Sequence, residues 1–101
     1  MNERRILSLL KTGQVLFRYP LKVCYQEGDG DFGVSVPKRS FKRAVRRNLL
    51  KRRVREAWRR SGAQQACGQL DVFIFYVGKQ VEEYERIEKS VAQVLDDLAA
   101  R

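Results

Sequence analysis

With 101 residues, a formal charge of +9 and 44% hydrophobic content, the chain suits one globular domain with a modest core; this excludes a disordered basic tail and a multidomain enzyme. The excess charge is local: residues 38 to 60 hold 12 Lys or Arg against Glu56 alone, whereas the rest of the chain holds 9 bases and 11 acids. There is no histidine, which removes the commonest general base and every His-dependent triad, and Cys24 and Cys67 are too few for a zinc site.

In chain order, residues 3 to 12 place Ile6, Leu7, Leu9 and Leu10 at helical spacing, with Gly13 as the stop. Val15, Phe17, Tyr19, Leu21, Val23 and Tyr25 then fall on alternate positions, the period of a strand with one buried face. Pro20 lacks an N–H donor, so this stretch is either an edge strand or two short strands bent at Tyr19-Pro20. A turn at 27 to 31, "EGDGD", leads into "FGVSV", and the two flanking strands are expected to form a hairpin. Pro37 ends the second strand, and Ser40 or a neighbour is expected to cap a long helix running to about Arg60.

Residues 61 to 70 are expected to be a mobile linker. The apolar run "DVFIFYV" at 71 to 77 reads as a central strand covered on both faces, and residues 81 to 99 carry Tyr84, Ile87, Val91, Val94, Leu95 and Leu98 at the intervals of an amphipathic helix. No apolar run approaches the roughly 20 residues of a membrane span and no secretory signal is visible, so reduced, structural cysteines and a cytoplasmic location are expected, with no membrane partner.

The basic helix is the unusual element. At about 100° per residue, Leu50, Val54, Ala57 and Trp58 share one arc that faces the core. Arg47, Lys51, Asn48, Arg55, Arg59 and Arg52 fan across one flank, Arg46, Arg53 and Arg60 take the other, and Val45 and Leu49 point nearly opposite the core. Like charges at three- and four-residue spacing weaken a helix, so the concentration calls for an anionic partner; phosphate fits it, because each Lys or Arg that neutralises one releases counterion and Arg adds a bidentate fork. Asn48 offers an amide for a neighbour, a base edge, a sugar hydroxyl or a hydrated metal.

The strand end "FGVSVPKR" followed by "RAVRRNLLKRRVREAW" resembles the signature of the bacterial ribonuclease P protein component, and the order of elements is similar over essentially all 101 residues. The resemblance implies a single α+β domain of order α-β-β-β-α-β-α over residues 1–101, a four-stranded sheet covered by the terminal helices, and a left-handed β-α-β crossover of the ribosomal protein S5 domain 2-like class. The family's motif falls on Arg47-Asn48, Lys51-Arg52 and Arg55, with its strand-end pair on Lys38-Arg39; where relatives carry a further arginine this chain has Leu49. The RNA-binding set is therefore expected to be Lys38, Arg39, Arg43, Arg46, Arg47, Asn48, Lys51, Arg52, Arg55 and Arg59.

The resemblance further implies a cleft between the sheet and the basic helix that takes the single-stranded 5′ leader of precursor tRNA. Its expected lining is Ile6, Leu10, Phe17 and Tyr25, although relatives place aromatics where Ile6 and Leu10 stand. The implied function is that of the protein subunit of ribonuclease P, an endoribonuclease whose catalytic groups lie on its RNA. The partners are that RNA and precursor tRNA, with Mg²⁺ bound mainly by RNA and substrate, no catalytic or metal-ligating residue on this chain and no obligate protein partner. The chain opens close to its first helix without the basic lead-in of many relatives, as a short or trimmed member would. A ribosomal or RNA-chaperone protein shares the basic patch without any cleavage activity, and a DNA-binding helix would need a helix-turn-helix or zipper partner that is not apparent.

Overall fold

A computed structural model of the protein describes residues 1–101, the side chain of Gln64 excepted. Helix α1, Glu3–Thr12, begins at Asn2, whose side chain accepts a hydrogen bond from the Arg5 N–H at 2.9 Å, and ends where the Gly13 N–H reaches the Leu9 carbonyl. Strands β1 (Gln14–Arg18) and β2 (Leu21–Glu27) flank the cis Tyr19-Pro20 peptide, and their antiparallel pairing as a hairpin decides for two short strands over one edge strand.

The hairpin also shifts the phase of the alternation. Cross-strand partners share a face, so Val15 and Phe17 stand with Cys24 and Lys22, while Leu16 stands with Val23 on the core side. The odd-numbered residues thus divide: Leu21 and Val23 are buried, whereas Val15 and Phe17 are largely exposed on the opposite face.

Strands β3 (Phe32–Ser35) and β4 (Leu70–Tyr76) complete a sheet of order β1-β2-β4-β3, in which β4 runs antiparallel to β2 and parallel to β3. The hairpin expected across residues 27 to 31 therefore does not form, because β4 lies between its two strands. The bend there is held instead by Asp71, a buried carboxylate at the start of β4 that accepts the Asp29 and Asp31 N–H groups at 3.0 and 2.9 Å. Gly28 passes so close that a Cβ there would stand 2.1 Å from the Asp71 carboxylate, which leaves no room for any side chain. Arg5 pairs with Asp29 and lies 3.6 Å from Asp71, tying α1 to this end of the sheet.

Helices α2 (Ala44–Arg60) and α4 (Tyr84–Ala99) pack side by side against the core face, and α1 covers part of the other. Leu50, Val54, Ala57 and Trp58 are buried as the helical arc requires, with the indole stacked on Phe32 at 4.8 Å between ring centroids. Ser90 joins the apolar stripe of α4 because its hydroxyl is satisfied, donating to the Tyr19 carbonyl at 2.6 Å. The segment expected to be a mobile linker holds a short helix, α3 (Ala63–Ala66), with Ala63, Cys67 and Leu70 in the core. Both cysteines are free and buried, and burial pushes both thiols above their ordinary pKa.

Candidate nucleic-acid interface

Helix α2 starts without a side-chain cap: Arg43 holds the N-cap position, so Ser40 does not serve there. Order is supplied from within the helix. Arg47 folds back so that one guanidinium nitrogen donates to the Phe41 and Lys42 carbonyls at 2.7 and 2.9 Å, which fixes the loop that feeds the helix. On the flank toward α4, Arg53 donates to the Glu82 carbonyl at 2.5 Å, and near the C-terminus Glu56 takes Arg59 at 2.7 Å and Arg60 at 3.3 Å. These contacts hold the Glu56 carboxyl below its ordinary pKa, chiefly through the hydrogen bond from Arg59.

Four of the helix's cations thus have partners within the fold. Lys42, Arg43, Arg46, Lys51, Arg52 and Arg55 make no side-chain hydrogen bond or ion pair among the described residues, and the amide of Asn48 is likewise free on the exposed surface. Lys51, Asn48, Arg52 and Arg55 span about 100° of the helix on the flank turned away from Arg53 and α4. Val45, 78% exposed, stands beside them. Leu49 is half-buried rather than turned to solvent, since it lies on the same side as Arg53, where α2 meets α4.

Lys38 and Arg39 are exposed on the loop between β3 and α2, and this loop joins the basic helix to a second feature. On the opposite face of the sheet α1 buries Leu9, Cys24 and Phe73 but stops short of the sheet's end, leaving a cavity of about 400 Å³. Leu10, Lys22, Ser35, Arg39, Phe75 and Val77 are among its walls. The Lys22 ammonium sits 5.9 Å from the Phe17 ring centroid and 6.0 Å from that of Phe75, a cation held between two aromatic faces. The concavity therefore lies between the sheet and α1, and not between the sheet and the basic helix, because α2 is fully engaged on the core face.

Of the residues expected to line a cleft, Leu10 does so and Phe17 stands at its Lys22 side, 63% exposed. Tyr25 is on the core face, packed against the interior, and Ile6 is half-buried on α1 away from the cavity walls. Lys22 and Phe75 escaped the sequence reading. A lysine interrupting an apolar strand was the available signal for the first; Phe75 lay hidden in a run that looked buried throughout.

The Ribonuclease P family model matches residues 2–99 of this chain. Ribonuclease P protein components of two Porphyromonas gingivalis strains are 45% identical over 60 residues, a stretch that takes in 54% of this chain and 44% of theirs, so the match spans under half the length of those relatives. Among solved structures, the Staphylococcus aureus RNase P protein superposes with a TM-score of 0.79 at 19% identity, covering 96% of this chain and 91% of that one. The RNase P protein from Thermotoga maritima, solved with 1-(4-fluorophenyl)-2-thiourea, does so at 0.74 and 27% identity, covering 100% and 98%.

Proposed function

This chain belongs to the Ribonuclease P family of proteins, and from that premise we propose that it is the protein subunit of a ribonucleoprotein that removes the 5′ leader from precursor tRNA in the cytoplasm. The observation that carries the reading is the row of cations without intramolecular partners on α2, joined by the Lys38-Arg39 loop to an aromatic-walled cavity. Arg43, Arg46, Asn48, Lys51, Arg52 and Arg55 take phosphates of the RNA subunit, and counterion release supplies much of the affinity. Arg47 and Arg59, engaged by the loop carbonyls and by Glu56, act in second place. The cavity between α1 and the sheet takes the leader: Phe17 and Phe75 offer ring faces to its bases and Lys22 a charge to its backbone.

Mg²⁺ belongs to the RNA and substrate phosphates in this reading. Among the described residues no three Cys, Asp or Glu side chains are grouped as metal ligands, and Asp71, the most buried acid, spends one carboxylate oxygen on backbone N–H groups. The chain's own part is to bind, orient and neutralise.

The test is cleavage of end-labelled precursor tRNA by bacterial ribonuclease P RNA, with and without the protein, at low Mg²⁺. The expected outcome is no cleavage by the protein alone, faster leader removal when it is added to the RNA, and preference for precursor over mature tRNA. Tight RNA binding with no stimulation of any of several such RNAs would put the ribosomal or chaperone reading ahead.

A further inference from the structure

Away from α2, at the tip of the β1–β2 hairpin, Tyr19 exposes half of its surface. The Arg86 guanidinium lies over its ring, 5.4 Å from the centroid, and the Ser90 hydrogen bond to the Tyr19 carbonyl fixes the turn against α4. Tyr19, Arg86, Lys89, Ser90 and Gln93 enclose a small cavity of about 120 Å³ without a carboxylate in its walls. Neither Arg86 nor Lys89 has an acidic partner among the described residues, whereas neighbouring Arg18 is consumed by Asp97 at 2.7 Å. Around the helix Glu88 projects roughly 160° from Arg86 and roughly 100° from Lys89; Glu85, roughly 100° from Arg86, lies about 40° from Lys89 but forms no ion pair with it among the described residues.

The pocket lies at the same end of the sheet as the start of α2, with the Val77 N–H donating to the Pro20 carbonyl at the hairpin tip. The register sets Arg18 beside Leu21, Leu21 beside Tyr76 and Ser35 beside Phe75, so the hairpin tip, the start of α4 and the exit of β3 gather at one edge. There Arg39 and Lys79 share a cavity with Pro37, Ser40 and Val77. Arg39, Lys79, Arg86 and Lys89 thus share the end where α2 begins, interspersed with Glu82, Glu83, Glu85 and Glu88 at the start of α4, while the opposite end of the sheet carries Glu27, Asp29, Asp31 and Asp71. A polyanion is steered to one end only.

Building on the proposed RNA-binding role, we propose that the Tyr19–Arg86–Lys89 pocket is a second RNA contact, taking a phosphate and an adjacent base of the same RNA that lies along α2. An arginine stacked on an aromatic ring presents its planar fork already ordered, and the ring edge and outer guanidinium face suit an unpaired base. Its chemistry is phosphodiester and base recognition, as on α2, delivered from the other half of the molecule.

The experiment compares RNA binding by wild type, Arg86→Gln/Lys89→Gln and Lys51→Ala/Arg52→Ala across about 50 to 200 mM salt. Loss of the one phosphate held by Arg86 and Lys89 should flatten the slope of log K against log salt by about 0.7 to 0.9, and loss of two at Lys51 and Arg52 by about 1.4 to 1.8, weakening binding at the low-salt end about threefold and about tenfold respectively. A photo-crosslinker is placed at Gln93→Cys and, as a control, at Arg46→Cys; Cys24 and Cys67 are buried and remain unlabelled. RNA crosslinks from both sites, together with the flatter slope for Arg86→Gln/Lys89→Gln, bear the inference out. Crosslinks from position 46 alone, with an unchanged slope for that variant, overturn it and leave the α2 reading standing. No RNA binding by wild type overturns both. Circular dichroism melts of each variant separate loss of contact from loss of fold, and Tyr19→Phe, which keeps the ring, should bind as wild type while Tyr19→Ala should not.

Discussion

Helices α2 and α4 lie side by side on one face of the sheet with 17 and 16 residues, and each buries a stripe of the same width, yet they are stabilised in different ways. Helix α4 carries Glu85 in its first turn, where the helix dipole favours an acid, and mixes both signs along its solvent face. Neither helix has a side-chain cap, but α2 has no acid in its first turn and carries Arg43, Arg46 and Arg47 at the end where a cation opposes the dipole. What holds α2 is tertiary: the Trp58–Phe32 stack, the Arg47 clasp on residues 41–42 and the Arg53 strut to Glu82. The difference teaches that a helix can surrender its local stabilisation to a partner only when the fold secures it from below.

The comparison breaks most completely at Trp58. Trp58→Ala removes the stack and should cost about 3 to 5 kcal/mol of stability by denaturant titration, enough to unseat α2 and abolish RNA binding with it. Lys51→Ala/Arg52→Ala should leave the melting temperature near wild type but flatten the salt slope of RNA binding by about 1.4 to 1.8, whereas Glu85→Ala/Glu88→Ala on α4 should not flatten it.

Tyr76 joins the two helices' approaches and gives a pH test. Its hydroxyl donates to the Gln80 carbonyl at 2.6 Å and accepts the Glu82 N–H at 3.1 Å, while Phe41, on the loop feeding α2, meets its ring edge-on at 5.7 Å. Tyr76→Phe should lower stability by about 1 to 3 kcal/mol. Burial pushes the Tyr76 pKa up to about 12, above the ordinary value near 10, so the native state holds this proton longer than the unfolded chain does. The contribution is whole below pH 10 and declines as pH rises from there toward 12. Wild type should therefore lose stability across that window faster than Tyr76→Phe; parallel curves would count against it.

Glu56 is the one acid of α2, and Glu56→Gln sharpens the contrast by releasing Arg59 and Arg60. RNA affinity should rise several-fold and its salt slope steepen, at little cost to the exposed helix end. Because the native pKa of Glu56 is depressed, its ion pair persists down through the ordinary carboxylate range and is lost only as pH falls below it. The smallest effect is expected at Leu49→Arg, which adds a cation on the half-buried side of α2: folding should survive with a slight loss of stability and RNA binding should strengthen modestly.

By itself the sequence determined the local elements of this protein. Helical spacing in residues 3 to 12 and 81 to 99, the core arc of Leu50, Val54, Ala57 and Trp58, and the basic run of α2 are periodicities of a few residues, set by the geometry of a single chain segment. Three matters were decided by tertiary structure alone. The insertion of β4 between β2 and β3 depends on pairing across 40 or more residues; the phase change at Tyr19-Pro20 moved Phe17 to the open face and left Tyr25 in the core; and α1, not α2, closes the cavity. The same holds for charge. Arg47, Arg53 and Arg55 read alike in the sequence, and only the approach of a carbonyl at Phe41 or Glu82 separates those that serve the fold from the one left to a ligand, because hydrogen bonding acts over about 3 Å in space whatever the separation along the chain.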